Sequence, residues 1–246
     1  MKIGIVIVAT NSYFILGLRF MRRFIHYYEG DNIITFHFFS DTDPKDYIDT
    51  NIKFYPTKHT NWVSGTNSKF SNILSIDTDD DYLFYFDADT NIDKGFKDWY
   101  LGDLVGGEHY GNRTVMKNKK PYDRNPKSKA YIPLDTNLEQ IYYYGAFFGG
   151  TKDKMLDFCN KLLINQLEDK KINYEPAVND ESYINQYFHY NPPLLIPSDK
   201  FEFLISDKGG IGETRNMKLD ISKFKQELLK NKNILFDIRN NQLCMI

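Results

Sequence analysis

Ile3 to Val8 is apolar apart from Gly4 and rich in β-branched side chains. A strand without polar alternation is buried on both faces, the condition of a parallel sheet covered by helices. Thr10-Asn11-Ser12 then offers helix-capping chemistry, and Tyr13, Phe14, Leu16, Phe20, Phe24 and Tyr27 recur at helical spacing up to Gly30. Ile33 to Phe39 predicts a second strand, ending in the polar run Ser40-Asp41-Thr42-Asp43-Pro44. This β-α-β opening predicts an α/β fold. Further on, the pattern predicts a short strand over 52–56, a polar loop from Trp62 to Asn67 and a helix around Ser68 to Ile76. The strongest strand, Asp81 to Phe86, runs straight into Asp87-Ala88-Asp89-Thr90. Residues 111–129 are polar and without period, which predicts a long surface loop. After the aromatic, Gly-rich stretch Tyr142 to Thr151, one helix is expected from about Lys152 to Leu167. Another is expected from near Asp180 to before Pro192-Pro193. Neither a repeat nor a linker interrupts the pattern, so one domain over residues 1–246 is expected.

Composition narrows the function classes. Of the 246 residues 41% are hydrophobic and 16% aromatic, which excludes a wholly disordered chain. The formal net charge of −2 argues against a nucleic-acid binder, which needs a basic face to neutralise phosphates. Only seven residues are Arg, so any fork-shaped anion clamp has few candidates. Cys159 and Cys244 form no CxxC or Cys/His metal spacing, as expected for a reducing compartment. No run approaches the ~20 apolar residues that cross a bilayer, and Met1 to Ala9 lacks the features of a signal peptide. A cytoplasmic protein is expected.

Two acidic pairs stand out. A buried strand ending in Asp87-Ala88-Asp89 places two carboxylates at the carboxyl edge of a sheet, where open α/β sheets bind ligands. With strand alternation both face one way and can share a divalent cation. Few, hard oxygen ligands suit Mg²⁺ or Mn²⁺ shared with a diphosphate. Asp is also common in solvated turns, the bland alternative. Asp180-Glu181 opens a helix, where acidic residues are favoured by the dipole alone. The five histidines are scattered, and only His109 follows a Gly-Gly pair at an expected strand end. Trp62, in a polar stretch, is less easily explained by packing than Tyr13 or Phe20.

Four segments, in order, carry a resemblance. Asp81-Tyr82-Leu83 through Asp87-Ala88-Asp89 resembles the metal-binding DxD segment of family 6 glycosyltransferases, the group of the histo-blood-group A and B transferases and α-1,3-galactosyltransferases. Tyr122-Asp123-Arg124 with Ala130-Tyr131-Ile132-Pro133 is similar to that family's TYERR…AYIP segment. Tyr142 to Gly150 is similar to its YYxGxxFGG block, and Asp180-Glu181-Ser182 with Asn185, Tyr187 and Phe188 to its HDESxxNKYF block. The resemblance implies a GT-A fold with a mostly parallel central sheet. It implies a UDP-sugar donor bound mainly by residues 1–110, and acceptor binding and catalysis mainly in 111–200. It further implies retaining transfer of galactose or N-acetylgalactosamine to a galactose-type hydroxyl of a glycan acceptor, forming an α-1,3 linkage, with Mn²⁺ or Mg²⁺ on Asp87 and Asp89.

By position, the resemblance places Val8, Ala9 and Tyr13 at the uracil and ribose, with Thr10 also binding the donor. It places Trp62, Lys69, Ala88, Gly145 and Asp180 at the donor, with Tyr144 and Ala146 discriminating the donor sugar. His109 and Tyr144 fall at the acceptor, and Glu181 on the catalytic carboxylate, also at the acceptor. Departures bear mainly on the acceptor: Val178-Asn179 stands where the family has Trp-His, and His109-Tyr110-Gly111 where it has HPGFY. Lys69 replaces an arginine and loses the bidentate fork. The family's basic tail is matched only by the candidates Lys230, Lys232 and Arg239. With no membrane anchor, a bacterial or phage type is expected. Two other classes compete. A sugar nucleotidyltransferase normally shows a Gly-rich phosphate loop after the first strand, and Val8-Ala9-Thr10-Asn11-Ser12 has none. A non-catalytic carbohydrate-binding module accounts for the aromatics but not for Asp87, Asp89 and Glu181.

Overall fold

The computed structural model describes residues 1–48, 50–59, 62–92, 96–113, 115–116, 119–134, 141–197, 203–204, 234–237 and 242–245. Lys230, Lys232 and Arg239 lie outside them. In chain order the elements are β1 (Lys2–Val8), α1 (Tyr13–Tyr27), β2 (Ile33–Ser40), β3 (Ile52–Pro56), α2 (Trp62–Asn67), α3 (Lys69–Leu74) and β4 (Tyr82–Asp87). There follow β5 (Asn91–Ile92), β6 (Leu104–Glu108), α4 (Tyr110–Arg113), β7 (Tyr143–Thr151), α5 (Lys152–Lys171) and α6 (Asn179–Tyr190). The short strands β8 (Leu194–Ile196), β9 (Phe203–Leu204), β10 (Ile234–Asp237) and β11 (Gln242–Met245) come last. The chain divides into two compact units: Met1–His59, Phe86–Asp98 and Glu202–Ile246 in the first, Thr60–Tyr85 and Trp99–Phe201 in the second.

In the first unit β1 pairs parallel with β2, from Lys2 against Ile33 to Val8 against Phe39, and β2 pairs parallel with β3. Ile3, Ile5, Val6 and Ile7 are fully buried, as their unbroken apolar run predicts. The crossover helix α1 is buried well beyond one stripe. Gly17 allows its close approach, because a Cβ there would lie 2.8 Å from both the Ala9 Cβ and the Phe38 ring. Three of the seven arginines sit on this helix, and all three donate to backbone carbonyls: Arg19 to Asp89 (3.2 Å), Arg22 to Tyr47 (2.6 Å) and Arg23 to Ile92. Ser12 makes no side-chain cap. Asn11, at φ 55°, turns the chain instead, and Tyr13 and Phe14 donate to the carbonyls of Thr10 and Asn11.

In the second unit the strand order is β4-β7-β6-β8, with β6 antiparallel to β7 and parallel to β8. Phe84 stacks on Phe147 and Tyr85 on Phe148. On the helical side, Phe158 of α5 stacks on Phe188 of α6 at 5.0 Å, and Phe188 meets Tyr143 of β7 edge-on.

Two polar stretches fold differently from expectation, for one reason: tertiary partners satisfy their hydrogen bonds. Trp62–Asn67 is a short helix, not a loop. Thr66 and Ser68 bond back to the carbonyls of Val63 and Gly65, while Asn67 is gripped by Glu175 and Gln166. The expected surface loop over 111–129 begins with α4 and then folds inward. Asp169 of α5 accepts from Ser128 Oγ (2.7 Å), the Lys129 amide (2.8 Å) and Tyr183 Oη (3.1 Å). Asp123, Ser128 and Ala130 are buried there. Buried polar groups persist when they find partners, as Asp123, Ser128 and Asp169 do here.

A very tight strand contact is at Gly149, where a Cβ would overlap the Phe84 ring and lie 2.7 Å from the Leu83 carbonyl oxygen. Gly149→Ala is therefore expected to lower stability by about 1–3 kcal/mol through overpacking. Urea unfolding checks this: the midpoint falls while the slope stays constant. An unchanged midpoint contradicts the close approach.

Candidate active site

Strand β7 is irregular where it matters. Gly106 faces Phe148 and Glu108 faces Tyr143, so Gly107 alone stands opposite Tyr144-Gly145-Ala146-Phe147. Such a bulge unpairs backbone groups and re-aims side chains. The freed groups of Gly145 are taken by side chains from two helices: its N–H donates to Glu181 Oε2 (2.6 Å), and its carbonyl accepts from Lys69 Nζ (2.8 Å). Lys69 also pairs with Asp180 Oδ2 at 2.5 Å and lies 4.4 Å from the Tyr85 ring centroid. Lys69 and Asp180 are 3% and 5% exposed. This is a buried ion pair with further hydrogen bonds, the geometry in which such pairs persist. Gly145 admits them because it has no side chain: a Cβ there would lie 3.1 Å from the Glu181 Cβ and 3.4 Å from Asp180 Oδ2.

Helix α6 is locked in register with β7 by Asn185. Its Oδ1 accepts from the Tyr143 amide (2.8 Å), and its Nδ2 donates to the carbonyls of Tyr143 (3.0 Å) and Glu181 (2.9 Å). The acidic pair in the first turn of α6 thus does more than complement a dipole. Burial pushes the Glu181 carboxyl up to about 7, against the pull of the Gly145 N–H, Tyr142 and Lys69, with Asp180 adding to the rise. A half-buried carboxylate near neutrality, held by a backbone donor, suits a group that must meet developing positive charge. Tyr142, whose own ionisation is strongly disfavoured by burial, packs on Tyr122 at 5.2 Å between ring centroids. His109 stacks on Tyr144 at 4.0 Å and donates its amide to the Tyr142 carbonyl (2.8 Å).

Of the residues expected from sequence, the second unit therefore gathers Lys69, Tyr144, Gly145, Asp180 and Glu181, with His109 stacked on Tyr144. Ala146 lies in the bulge, half-buried. Trp62 opens α2, and its side chain lies outside the described residues. Lys69 is the hydrogen-bond partner of both Asp180 and Gly145.

In the first unit Asp87 ends β4, and Ala88-Asp89 form a turn closed by the Thr90 amide on the Asp87 carbonyl (3.0 Å). The strand alternation expected to align the carboxylates thus stops at Asp87. The exposure still alternates: Asp87 and Asp89 are half-buried on either side of Ala88, which is 2% exposed. Phe86 anchors this strand end on Phe20 of α1 at 5.1 Å. Two carboxylate ligands fit an octahedral cation that takes its other ligands from water and phosphate. Among the described residues, no group of three or more His, Cys, Asp or Glu is placed to hold a metal ion. Val8 and Tyr13 are half-buried at the end of β1 and the start of α1. Ala9 is buried, and Thr10 Oγ1 lies 3.3 Å from His59 Nδ1.

Sequence reasoning gave no role to Tyr142, Asn185, Asp41 or His59. Asn185 carried a signal, a poor helix former in a helix interior four residues after Glu181.

Residues 66–231, more than half of the chain, match the model of glycosyltransferase family 6. The chain is similar to the globoside α-1,3-N-acetylgalactosaminyltransferase 1 of Gallus gallus, 27% identical over 218 residues that cover 82% of this chain and 61% of that one. It is also similar to the O-antigen biosynthesis glycosyltransferase WbnI of Escherichia coli, 29% identical over 211 residues (80% and 86%). The histo-blood group ABO system transferase 2 of Rattus norvegicus is 31% identical over 121 residues (49% and 36%). The chain thus spans about three fifths of the Gallus relative and most of the Escherichia one. Among the described residues no helix is long and apolar enough to cross a membrane. The matched span contains the β7 bulge, Lys69 and the Asp180-Glu181 pair, and with its α/β architecture of GT-A type the chain belongs to glycosyltransferase family 6.

Proposed function

We propose that this chain is a retaining hexosyltransferase that moves galactose or N-acetylgalactosamine from a UDP-sugar to a galactose-type hydroxyl of a glycan, forming an α-1,3 linkage. The observation that carries the reading is Glu181, half-buried and held at Gly145 in the bulge of β7. The activities named for its relatives support it: an α-1,3-N-acetylgalactosaminyltransferase, an O-antigen glycosyltransferase and an ABO transferase.

The chemistry assigns each residue a task. Asp87 and Asp89 would hold a divalent cation, Mn²⁺ or Mg²⁺, whose Lewis acidity neutralises the leaving diphosphate. Glu181, ionised, stabilises positive charge as it grows at the anomeric carbon, as carboxylates do in glycoside hydrolysis. Because this interaction strengthens toward the transition state, it lowers the barrier more than it tightens binding. Lys69 fixes Asp180, which orients the donor sugar, and Asn185 keeps Glu181 at its height on β7. His109, half-buried and backed by the buried Tyr144 ring, takes the acceptor side.

Replacing Glu181 with Gln keeps the shape and removes the charge. The expected result is a fall in kcat of ~10²-fold or more with little change in donor KM. If Glu181 only capped α6, Gln would cost ~1 kcal/mol of stability and leave the rate nearly intact. Measuring kcat and melting temperature on the same variant separates the two roles, and a β-linked product from wild type contradicts the retaining assignment.

The raised carboxyl of Glu181 sets opposite pH trends for activity and stability. Between its ordinary value of 4.5 and about 7 the folded chain holds a proton that the unfolded chain has lost. Stability therefore falls as pH rises through that window, while the active, ionised fraction grows. We expect kcat/KM of wild type to drop about tenfold per pH unit below about pH 7, read from a pH–rate profile. A flat profile down to pH 5 would rule out ionised Glu181 as the stabiliser.

Chelation tests the DxD assignment. EDTA should abolish transfer and Mn²⁺ restore it, and Asp89→Asn should lose orders of magnitude of activity with an unchanged circular-dichroism spectrum. Full transfer in chelator would refute metal dependence.

A further inference from the structure

The carboxyl ends of the three parallel strands of the first unit are knitted into one polar cluster that none of the expected roles uses in full. Ser40 ends β2, and its hydroxyl donates to the Ala9 carbonyl at 2.6 Å, while the Ala9 amide donates to Phe39 (2.8 Å). Asp41, the next residue, is exposed, and its Oδ1 accepts from the Asn11 amide at 3.1 Å. Beyond β3, His59 accepts at its carbonyl from Asn11 Nδ2 (3.3 Å) and meets Thr10 Oγ1 at its ring. Burial lowers the His59 imidazole below its usual range, against the opposing pull of Asp41. Asn11 holds a left-handed conformation, φ 55°, at the centre of this cluster.

We propose that Asp41, braced on Asn11 by Thr10 and His59, accepts hydrogen bonds from the ribose hydroxyls of the nucleoside diphosphate donor. The inference rests on the nucleotide-sugar reading of the protein. A β-α-β unit receives a nucleotide at the carboxyl ends of its strands, and an acidic residue after the second strand is placed to take the ribose diol. A carboxylate is the matching partner, because it only accepts and a diol offers two O–H donors. Asp41 is that residue here: it follows β2 directly, it is exposed, and the loop beside it is fixed by side-chain bonds in place of the missing Gly-rich turn. A role in bracing the loop alone needs only one oxygen opposite the Asn11 amide, which Asn supplies equally well.

That difference defines the test, made by calorimetry on the full chain with Mn²⁺ and three probes: UDP, 2′-deoxy-UDP and 2′,3′-dideoxy-UDP. Wild type should bind UDP about tenfold or more tightly than the dideoxy analogue. Asp41→Asn should weaken UDP by a similar factor and leave the dideoxy analogue nearly unchanged, so that discrimination collapses. Asp41→Ser, which also keeps an oxygen near Asn11, should do the same, and it serves if the Asn variant fails to fold. UDP binding by wild type that ignores the ribose hydroxyls, or variants that keep the full discrimination, overturns this inference alone. No binding of any of the three probes by wild type overturns the donor reading and this inference with it.

Discussion

The ion pair between Lys69 and Asp180 is the constraint on which the rest of the second unit's site depends. Both groups are almost fully removed from water, so either alone would be a buried uncompensated charge, and breaking such a pair typically costs about 3–5 kcal/mol. The ammonium has three donors and no acceptor, which lets it satisfy Asp180 and the Gly145 carbonyl together. Through those contacts one side chain on α3 sets the place of the acidic turn of α6 and the shape of the β7 bulge. An arginine's planar fork would present its donors in a fixed geometry, whereas the compact ammonium of the lysine sits 4.4 Å from the Tyr85 ring centroid and 6.0 Å from that of Phe148.

Around this pair, polar side chains do the positioning that hydrophobic packing cannot. Apolar contacts such as Phe158 on Phe188 hold α5 and α6 together, but they tolerate small slips. Asn185, bonded to both backbone groups of Tyr143, does not, since a slip along β7 would leave three buried polar groups without partners. Asp169 plays the same part for the segment around Ser128, which in turn seats Ile132 and Tyr122 against Tyr142. The scarcity of arginine gains meaning here. Arg19, Arg22, Arg23 and Arg124 all donate to backbone carbonyls, a structural use that the composition could not distinguish from anion binding.

The pattern of apolar residues alone determined the skeleton. Ile3 to Val8, Ile33 to Phe39 and Asp81 to Phe86 announced buried strands, because a strand covered on both faces has no polar alternation to blur the signal. The acidic pairs, His109 and the Gly-rich block could be picked out for the same reason: their chemistry is local and their spacing short. Only the tertiary structure decided what was non-local. That Trp62–Asn67 is helical depends on Glu175 and Gln166, about a hundred residues away. The inward fold of the 119–134 segment depends on one aspartate of α5. Lys69 became the partner of Asp180, and Glu181 acquired its raised proton affinity, through burial and approach across more than a hundred residues. Desolvation and charge proximity are properties of the folded arrangement, and no spacing along the chain encodes them.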